Sequence, residues 1–173
     1  DNNTTYDDSQ GQEFDFTLTT PFKYNIGIAI IMGNLGFVSA DFEQVDYREA
    51  SLGANRSNFG FSQNNLTISK LYQEATNLRF GTELKMGNYR FRGGYAIYGD
   101  PFKSVTGISF DRTRTALSGG FGIKQDGYYF DIALINSRNK EAYSPYTLNN
   151  NSQPVSTIKQ SVNSFVFTLG MTF

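Results

Sequence analysis

The feature that most constrains the fold of this chain is a two-residue alternation of apolar and polar side chains. It is clearest in the segment Asn163 to Phe173. One face of that segment carries only apolar side chains: Phe165, Phe167, Leu169, Met171 and Phe173. The same alternation recurs along the chain in segments close to the roughly 9–11 residues that a tilted strand needs to cross a bilayer. It therefore predicts an all-β fold, an antiparallel transmembrane β-barrel.

Composition narrows the classes of function that the chain can perform. With Lys+Arg 15 and Asp+Glu 16, the net charge of -1 predicts no nucleic-acid partner. Cys 0 and His 0 leave no disulfide, no thiolate metal site and no Ser–His or Cys–His nucleophile. We therefore expect a protein that is not an enzyme and has no cofactor and no metal. A lipid enzyme of the outer membrane would need a histidine from outside this sequence.

The alternation divides the chain into about seven predicted strands. They are Glu13 to Met32, Gly36 to Tyr47, Asn77 to Met86, Tyr89 to Gly99, Arg112 to Lys124, Tyr128 to Ser137 and Asn163 to Phe173. The first is interpreted as one long strand, because its apolar positions keep the same parity through Pro21. Polar residues predict loops at 1–12, 48–75, 100–111 and 138–162. Within the second loop, Asn65 to Ala75 is expected to form a short helix that Asn65 caps.

Three short turns join the predicted strands in pairs. Gly33 to Leu35 is expected to have three residues, because a two-residue loop would direct Asp41 and Glu43 toward the apolar side. Gly87-Asn88 suits a type II′ turn, and Asp126-Gly127 closes the next hairpin. Short turns thus alternate with long loops, as in outer-membrane barrels, where the short ones are periplasmic and the long ones extracellular. Because such barrels close with an even number of strands, we expect further strands that are missing here.

Several of these segments resemble a known family. They are Thr19 to Ala29 (T-T-P-F-K-Y-N-I-G-I-A), Gly36 to Tyr47 (G-F-V-S-A-D-F-E-Q-V-D-Y), Asn77 to Leu84 (N-L-R-F-G-T-E-L), Tyr89 to Phe102 (Y-R-F-R-G-G-Y-A-I-Y-G-D-P-F) and the strand Y-Y-F-D-I-A-L around Tyr129. Together they resemble the carboxy-terminal half of FadL-like outer-membrane transport proteins of Bacteroidetes-type bacteria.

The resemblance implies that residues 1–173 are one half of a single β-barrel domain of fourteen strands. Through such barrels hydrophobic molecules, typically long-chain fatty acids, pass by diffusion across the outer membrane of a Gram-negative bacterium. The amino-terminal plug of the family and its kinked strand have no counterpart in these residues. The ligand contacts that those parts make in the family are therefore not assigned to this chain.

Charged side chains opposite the apolar face are the candidate lumen-lining and ligand-binding residues. They are Asp41, Glu43, Arg79, Glu83, Arg90, Arg92, Arg112 and Arg114. The predicted hairpin register places Glu83 opposite Arg92 as a cross-strand ion pair. Two interpretations stay open: a structural ladder of paired charges, or a site that holds a fatty-acid carboxylate or a plug. Small residues on this face, such as Gly81 and Gly94, either leave room for a plug or allow barrel curvature.

Residues at the ends of the apolar face have expected roles of their own. Tyr89, Tyr128 and Phe173 are expected to form an interfacial aromatic girdle. Leu169, Met171 and Phe173 resemble the signal by which the barrel-assembly machinery recognises its clients. The expected partners are that machinery, outer-membrane lipid and lipopolysaccharide, a hydrophobic small-molecule substrate, and the missing amino-terminal half of the barrel. The alternative is a small structural or adhesive outer-membrane barrel without transport activity.

Overall fold

The computed structural model describes residues 16–54, 60–103, 111–146 and 154–171. These ranges contain the strands β1 (Phe16–Thr19), β2 (Lys23–Ile31), β3 (Gly36–Asp46), β4 (Ser51–Ala54), β5 (Glu74–Met86), β6 (Tyr89–Tyr98), β7 (Arg114–Gln125), β8 (Tyr128–Tyr143) and β9 (Ser156–Met171). They also contain the helix α1 (Ser62–Leu71) and two 3₁₀ turns, Gly33–Leu35 and Tyr47–Glu49. Within these ranges no helix has the length and apolar character needed to cross a membrane.

Seven of the described strands form one antiparallel sheet in the order β2-β3-β5-β6-β7-β8-β9, which we call the main sheet. Each strand pairs with the next main-sheet strand along the chain, so the main sheet is a simple meander. This confirms the predicted all-β class, and each of the about seven predicted strand segments contributes one strand to the main sheet. β2 and β9 lie at opposite edges and do not pair with each other, so the sheet formed by the described residues is open.

One face of the main sheet is apolar across the strands. The register places Leu84 opposite Phe91, Phe91 opposite Phe121, Phe121 opposite Ile132, and Ile132 opposite Phe167. Each of these residues belongs to the set that alternation assigns to the apolar side. The rings of Phe91 and Phe121 lie 5.3 Å apart between centroids. We call this side the apolar face and the opposite side the polar face.

No second layer covers the main sheet within the described residues. Leu84 is 48% exposed, Leu117 61% and Phe167 64%. The buried apolar side chains in the described part of the chain are Val45 and Ala75. The chain has 13406 Å² of accessible surface, whereas a globular monomer of this mass has about 8,500 Å². The main sheet is therefore a single layer that does not enclose a hydrophobic core of the usual kind.

The short turns lie at one end of the main sheet and follow the predicted registers. Ile26 pairs with Phe42 and Ile28 with Ala40, which confirms the three-residue connection at Gly33–Leu35. In the next hairpin Met86 pairs with Tyr89, and Gly87 has a φ of 59°. A positive φ at the first turn residue, but not at the second, fits the predicted type II′ turn. Asp126 and Gly127 both have positive φ, 45° and 84°, as a type I′ turn requires.

The prediction of one long strand from Glu13 to Met32 is wrong. β1 pairs with β4 in a two-stranded sheet of its own, whereas β2 begins at Lys23 and belongs to the main sheet. Pro21 lies in the break, where its nitrogen has no hydrogen to donate and its ring fixes φ. The parity of apolar positions continues across this break, so the sequence pattern did not reveal it. Residues 13–15 lie outside the described part of the chain.

The predicted loop at 48–75 is wrong in part, because it contains β4, α1 and the first residues of β5. The helix spans Ser62–Leu71 instead of Asn65 to Ala75, and Asn65 does not cap it. The Asn65 Oδ1 atom accepts a hydrogen bond from the Leu52 nitrogen at 2.8 Å, and Nδ2 donates to the Leu52 oxygen at 2.9 Å. The side-chain amide of Asn65 therefore hydrogen-bonds α1 to β4 through one donor and one acceptor, as a backbone amide of a neighbouring strand would.

The predicted loop at 138–162 is too long, because β8 continues to Tyr143 and β9 already begins at Ser156. In these outer parts the positions that continue the apolar side are mostly polar, and Ile158 and Val162 lie on the opposite side, so apolar alternation does not mark the strands. Their backbone ladder nevertheless continues to the pair Tyr143 and Ser156. β7 begins at Arg114, two residues later than predicted. The predicted loop 1–12 and most of the loop 100–111 lie outside the described residues.

Candidate functional site

The strand registers bring five of the eight candidate residues together in two groups on the polar face. Asp41 lies opposite Arg79 across β3 and β5, and Glu83 lies opposite Arg92 across β5 and β6. Glu43 lies opposite Asn77, next along the same face. The predicted pairing of Glu83 with Arg92 is confirmed by both the register and the ion pair.

The first group is centred on Arg79, which lies between two carboxylates. The Arg79 Nη1 atom pairs with Asp41, and Nη2 lies 3.1 Å from Glu43 Oε1. Asparagine amides add a hydrogen bond to each carboxylate: Asn25 Nδ2 donates to Asp41 Oδ2 at 2.9 Å, and Asn77 Nδ2 donates to Glu43 Oε1, the oxygen that also faces Arg79, at 2.7 Å. The carboxylates therefore have their partners within the sheet, as the structural-ladder interpretation expects.

The second group is centred on Arg92 and reaches across three strands. Its Nε atom donates to Glu83 Oε2 at 2.7 Å, and its Nη1 atom pairs with Asp131 on β8. Lys85 Nζ lies 3.7 Å from Glu83 Oε1. The Arg92 guanidinium thus links β5, β6 and β8, and its contact with β8 crosses the polar face of β7. A planar fork with several donors is suited to hold two carboxylates at once.

Gly122 of β7 makes this link possible. It lies between Arg90 and Asp131 in the register. A Cβ atom at Gly122 would fall 2.1 Å from Asp131 Oδ1 and 3.2 Å from Arg92 Nη1. The absence of a side chain at this position leaves the room in which the Asp131 carboxylate and the Arg92 guanidinium meet.

Of the remaining three candidates, Arg90 lies beside a turn, Arg112 outside the strands and Arg114 beside Tyr98. Arg90 donates to the backbone oxygens of Gly87 and Tyr89, at 2.7 Å and 2.9 Å, and so braces the turn. Arg112 lies outside the strands, with its Nη1 3.8 Å from Asp100 and its guanidinium 5.0 Å from the ring centre of Phe102.

Arg114 stacks on an aromatic ring of the neighbouring strand. Its guanidinium carbon lies 4.2 Å from the ring centre of Tyr98, and that of Arg79 lies 5.7 Å from the same ring. Tyr98 therefore connects Arg114 to the first group through cation–π contacts.

Sequence reasoning did not identify Asp131 as a partner of Arg92. The two residues are on strands that do not pair, and they meet diagonally across β7. The relevant register between β6 and β7 follows a long connection, so turn chemistry could not fix it from the sequence. The glycine at 122, flanked by charged residues on both neighbouring strands, is the signal that could have indicated the meeting.

A shallow polar depression of about 340 Å³ lies beside the second group, near the short-turn end. Its lining consists of Glu83, Lys85, Arg90, Arg92, Ile123, Lys124, Tyr129 and Asp131. Four of these side chains are cationic and two are carboxylates. Chemically, this excess of positive charge can attract the carboxylate of an anionic molecule. Among the described residues, no group of three or more Asp or Glu could hold a metal ion.

Comparison with known proteins found no match to a family model, to a curated protein or to a solved structure. The resemblance to FadL-like outer-membrane proteins therefore stays a prediction from strand and turn segments such as Tyr89 to Phe102.

Proposed function

We propose that the main sheet is part of the wall of an outer-membrane β-barrel, a channel for passive uptake of hydrophobic molecules such as long-chain fatty acids. The observation that carries this proposal is the apolar face, on which Ile28, Phe80 and Leu117 are 66%, 49% and 61% exposed. Soluble monomers rarely expose contiguous apolar patches larger than a few hundred Å². In a bilayer, lipid chains would cover this face, so its apolar side chains would not be exposed to water at a cost in free energy.

The open edges of the main sheet support a larger barrel. β2 and β9 have no partner strand on their outer sides within the described residues. In hydrocarbon, unpaired backbone N–H and C=O groups cost several kcal/mol each, so a membrane sheet must close. We propose that further strands complete a barrel of about fourteen, the number that the family resemblance implies. The apolar Leu169 and Met171 on β9 fit the proposed assembly signal, and Phe173 lies outside the described residues.

The connections of the main sheet give the proposed orientation. Three short turns lie at one end, and longer segments join β3 to β5, β6 to β7 and β8 to β9 at the other. In outer-membrane barrels the short turns are periplasmic and the long loops are extracellular. The depression beside Arg92 would then lie at the periplasmic end of the polar face, which lines the lumen.

The proposed cargo is an amphipathic molecule with a carboxylate head. The family resemblance suggests it, and the excess of cations near Arg90 and Lys124 provides an attraction for that head. The transport is proposed to be passive and not enzymatic, in keeping with His 0 and Cys 0.

The alternative function, a small structural or adhesive barrel, needs a sheet that closes on itself. β2 and β9 are instead at opposite edges of the main sheet. The open sheet therefore favours the larger channel over the small barrel.

Uptake of oleate by a Gram-negative host that lacks its own long-chain fatty-acid channel tests the proposal. We expect the full-length protein to restore uptake. Replacing both Arg90 and Lys124 with Gln should lower oleate uptake about twofold to fivefold, since two exposed charges together are worth about 0.5–1 kcal/mol. Uptake of oleyl alcohol, which has no carboxylate, should not change. An inserted protein that restores neither uptake would contradict the channel.

A further inference from the structure

Three cations lie on the apolar side of the β8–β9 hairpin, beyond the end of the apolar residues. β8 pairs with β7 only as far as Arg138, whereas β8 and β9 remain paired to Tyr143. In this extension Lys140 lies directly opposite Lys159. Arg138, Lys140 and Lys159 share the parity of Leu134 and Phe165, so all of them belong to one face. We call these three residues the basic cluster.

The basic cluster has little negative charge near it. None of its members forms an ion pair within the described part of the chain. Residues 104–110 and 147–153, whose structure is not described, contain no Asp or Glu, and no acidic residue follows Glu141 in this sequence. Glu141 itself has the opposite parity and lies opposite Ile158. Like charges directly across a strand pair are destabilising, so the pair of Lys140 and Lys159 lowers the stability of the hairpin.

One carboxylate, Asp111, shares a surface depression of about 420 Å³ with the basic cluster. It accepts a hydrogen bond from the Thr113 nitrogen at 2.9 Å. The hydrogen bonds from Thr113 are the main cause that lowers the pKa of Asp111, and attraction to Lys140 adds to it. A single ionised carboxylate leaves a net positive charge of about two at a depression open to a ligand.

Polarity along the hairpin changes in steps toward the basic cluster. Leu134 and Phe165 end the apolar part, and an amide row follows, in which Asn136 Nδ2 donates to Asn163 Oδ1 at 2.7 Å. Asn136 Oδ1 then accepts from Arg138 Nε at 2.8 Å. Arg138 is four residues beyond Leu134, about 10 Å higher for a strand tilted by about 45°. In a bilayer this is the distance from the hydrocarbon edge to the headgroup layer.

We propose that the basic cluster binds the phosphate of a phosphorylated lipid headgroup in the leaflet at the long-loop end of the barrel. This inference rests on the proposed function, because it requires the apolar face to meet membrane lipid. Phosphate oxygens accept charge-assisted hydrogen bonds from Lys and Arg, and acyl chains of the same lipid would cover Leu134 and Phe165. A lipid that bridges Lys140 and Lys159 would also remove their mutual repulsion.

The test is native mass spectrometry of the full-length protein in micelles of a neutral detergent. The probes are lipid A, lipid A from which the phosphates have been removed, and inorganic phosphate. Lys159→Gln should weaken lipid A binding about fivefold, and Arg138→Gln, Lys140→Gln and Lys159→Gln together should weaken it on the order of 100-fold. The matched control is Lys70→Gln, which removes an exposed cation from α1 and should change binding less than about twofold.

Heat-modified mobility on a gel reports folding of each variant, and the variants should fold at least as well because repulsion is removed. Equal affinity for the dephosphorylated lipid, or unchanged affinity in the triple variant, would overturn the inference while leaving the barrel intact. Inorganic phosphate binding as tightly as lipid A would show a site for free anions and overturn the assignment to a lipid. A chain that never inserts into membranes would overturn both this inference and the proposed function.

Discussion

The two faces of the main sheet differ in whether their side chains have partners within the chain. On the polar face Arg79 and Arg92 are each held between two carboxylates of the same chain. On the apolar side, large residues such as Phe167 stay mostly exposed, and the cations of the basic cluster have no ion-pair partner among the described residues. The carboxylates of these two groups have their ion-pair partners within the sheet. The other face carries exposed apolar side chains in the middle and the cations of the basic cluster at one end.

The largest expected effect comes from a charge placed on the apolar face. Ile132→Arg should lower the free energy of unfolding in lipid vesicles by about 2–4 kcal/mol, because Ile132 lies opposite Phe121 and Phe167 in the middle of that face. Ile135→Arg is the matched control on the same strand, since Ile135 lies on the polar face opposite Ser118. It should cost less than about 1 kcal/mol. Urea titration of both variants measures the difference, and equal costs would show that the two faces do not differ in environment.

A smaller effect is expected from removing a shared arginine. Arg92→Met leaves Glu83 and Asp131 without their common partner. We expect a loss of about 1 kcal/mol, because Arg92 is 42% exposed and solvent screens the charges. High salt should reduce that loss, since it screens the repulsion between the two carboxylates. Lys124→Met removes a cation of the same face that forms no described ion pair, and a loss as large as that of Arg92→Met would contradict the shared role of Arg92.

Effects of about this size or smaller are expected at two glycines of β7, and they should have opposite signs. Gly122→Ala places a Cβ atom 2.1 Å from Asp131 Oδ1, so the carboxylate must move away from Arg92, at a cost of about 1 kcal/mol. At Gly119, on the apolar face, a Cβ atom meets nothing within 4 Å. Gly119→Ala should stabilise the sheet by about 0.5 kcal/mol, because alanine lowers the conformational entropy of the unfolded chain and so less entropy is lost on folding. Thermal unfolding measures both effects. Stabilisation by Gly122→Ala would contradict the idea that Asp131 and Arg92 need the room left by Gly122.

Local rules predicted the parts of this fold that short turns determine. A two-residue turn at Gly87-Asn88 sets the whole register of its hairpin, and with it the pair of Glu83 and Arg92. The cost of directing Asp41 to the apolar side was enough to select the three-residue turn at Gly33–Leu35.

The parts that could not be predicted depend on contacts distant in sequence. The alternation of apolar and polar residues could not predict the pairing of β1 with β4, because each strand has only four residues, too few to show the pattern. The extension of β8 and β9 has polar residues on both faces, so nothing in its pattern separates it from a loop. The ion pair of Arg92 with Asp131 needs the register across two hairpins, which a long connection leaves undetermined.

In the proposed barrel, one face of the main sheet meets lipid and the other meets water. Because this chain has Cys 0, spin labels can be attached to single cysteines introduced at each of residues 128–135 in the full-length protein in lipid vesicles. Labels at Tyr128, Phe130, Ile132 and Leu134 should relax strongly with oxygen, which is enriched in lipid. Labels at Tyr129, Asp131, Ala133 and Ile135 should relax with a water-soluble nickel chelate, which gives a period of two residues. Accessibility to both relaxing agents without this alternation, or with the two sets exchanged, would contradict the account.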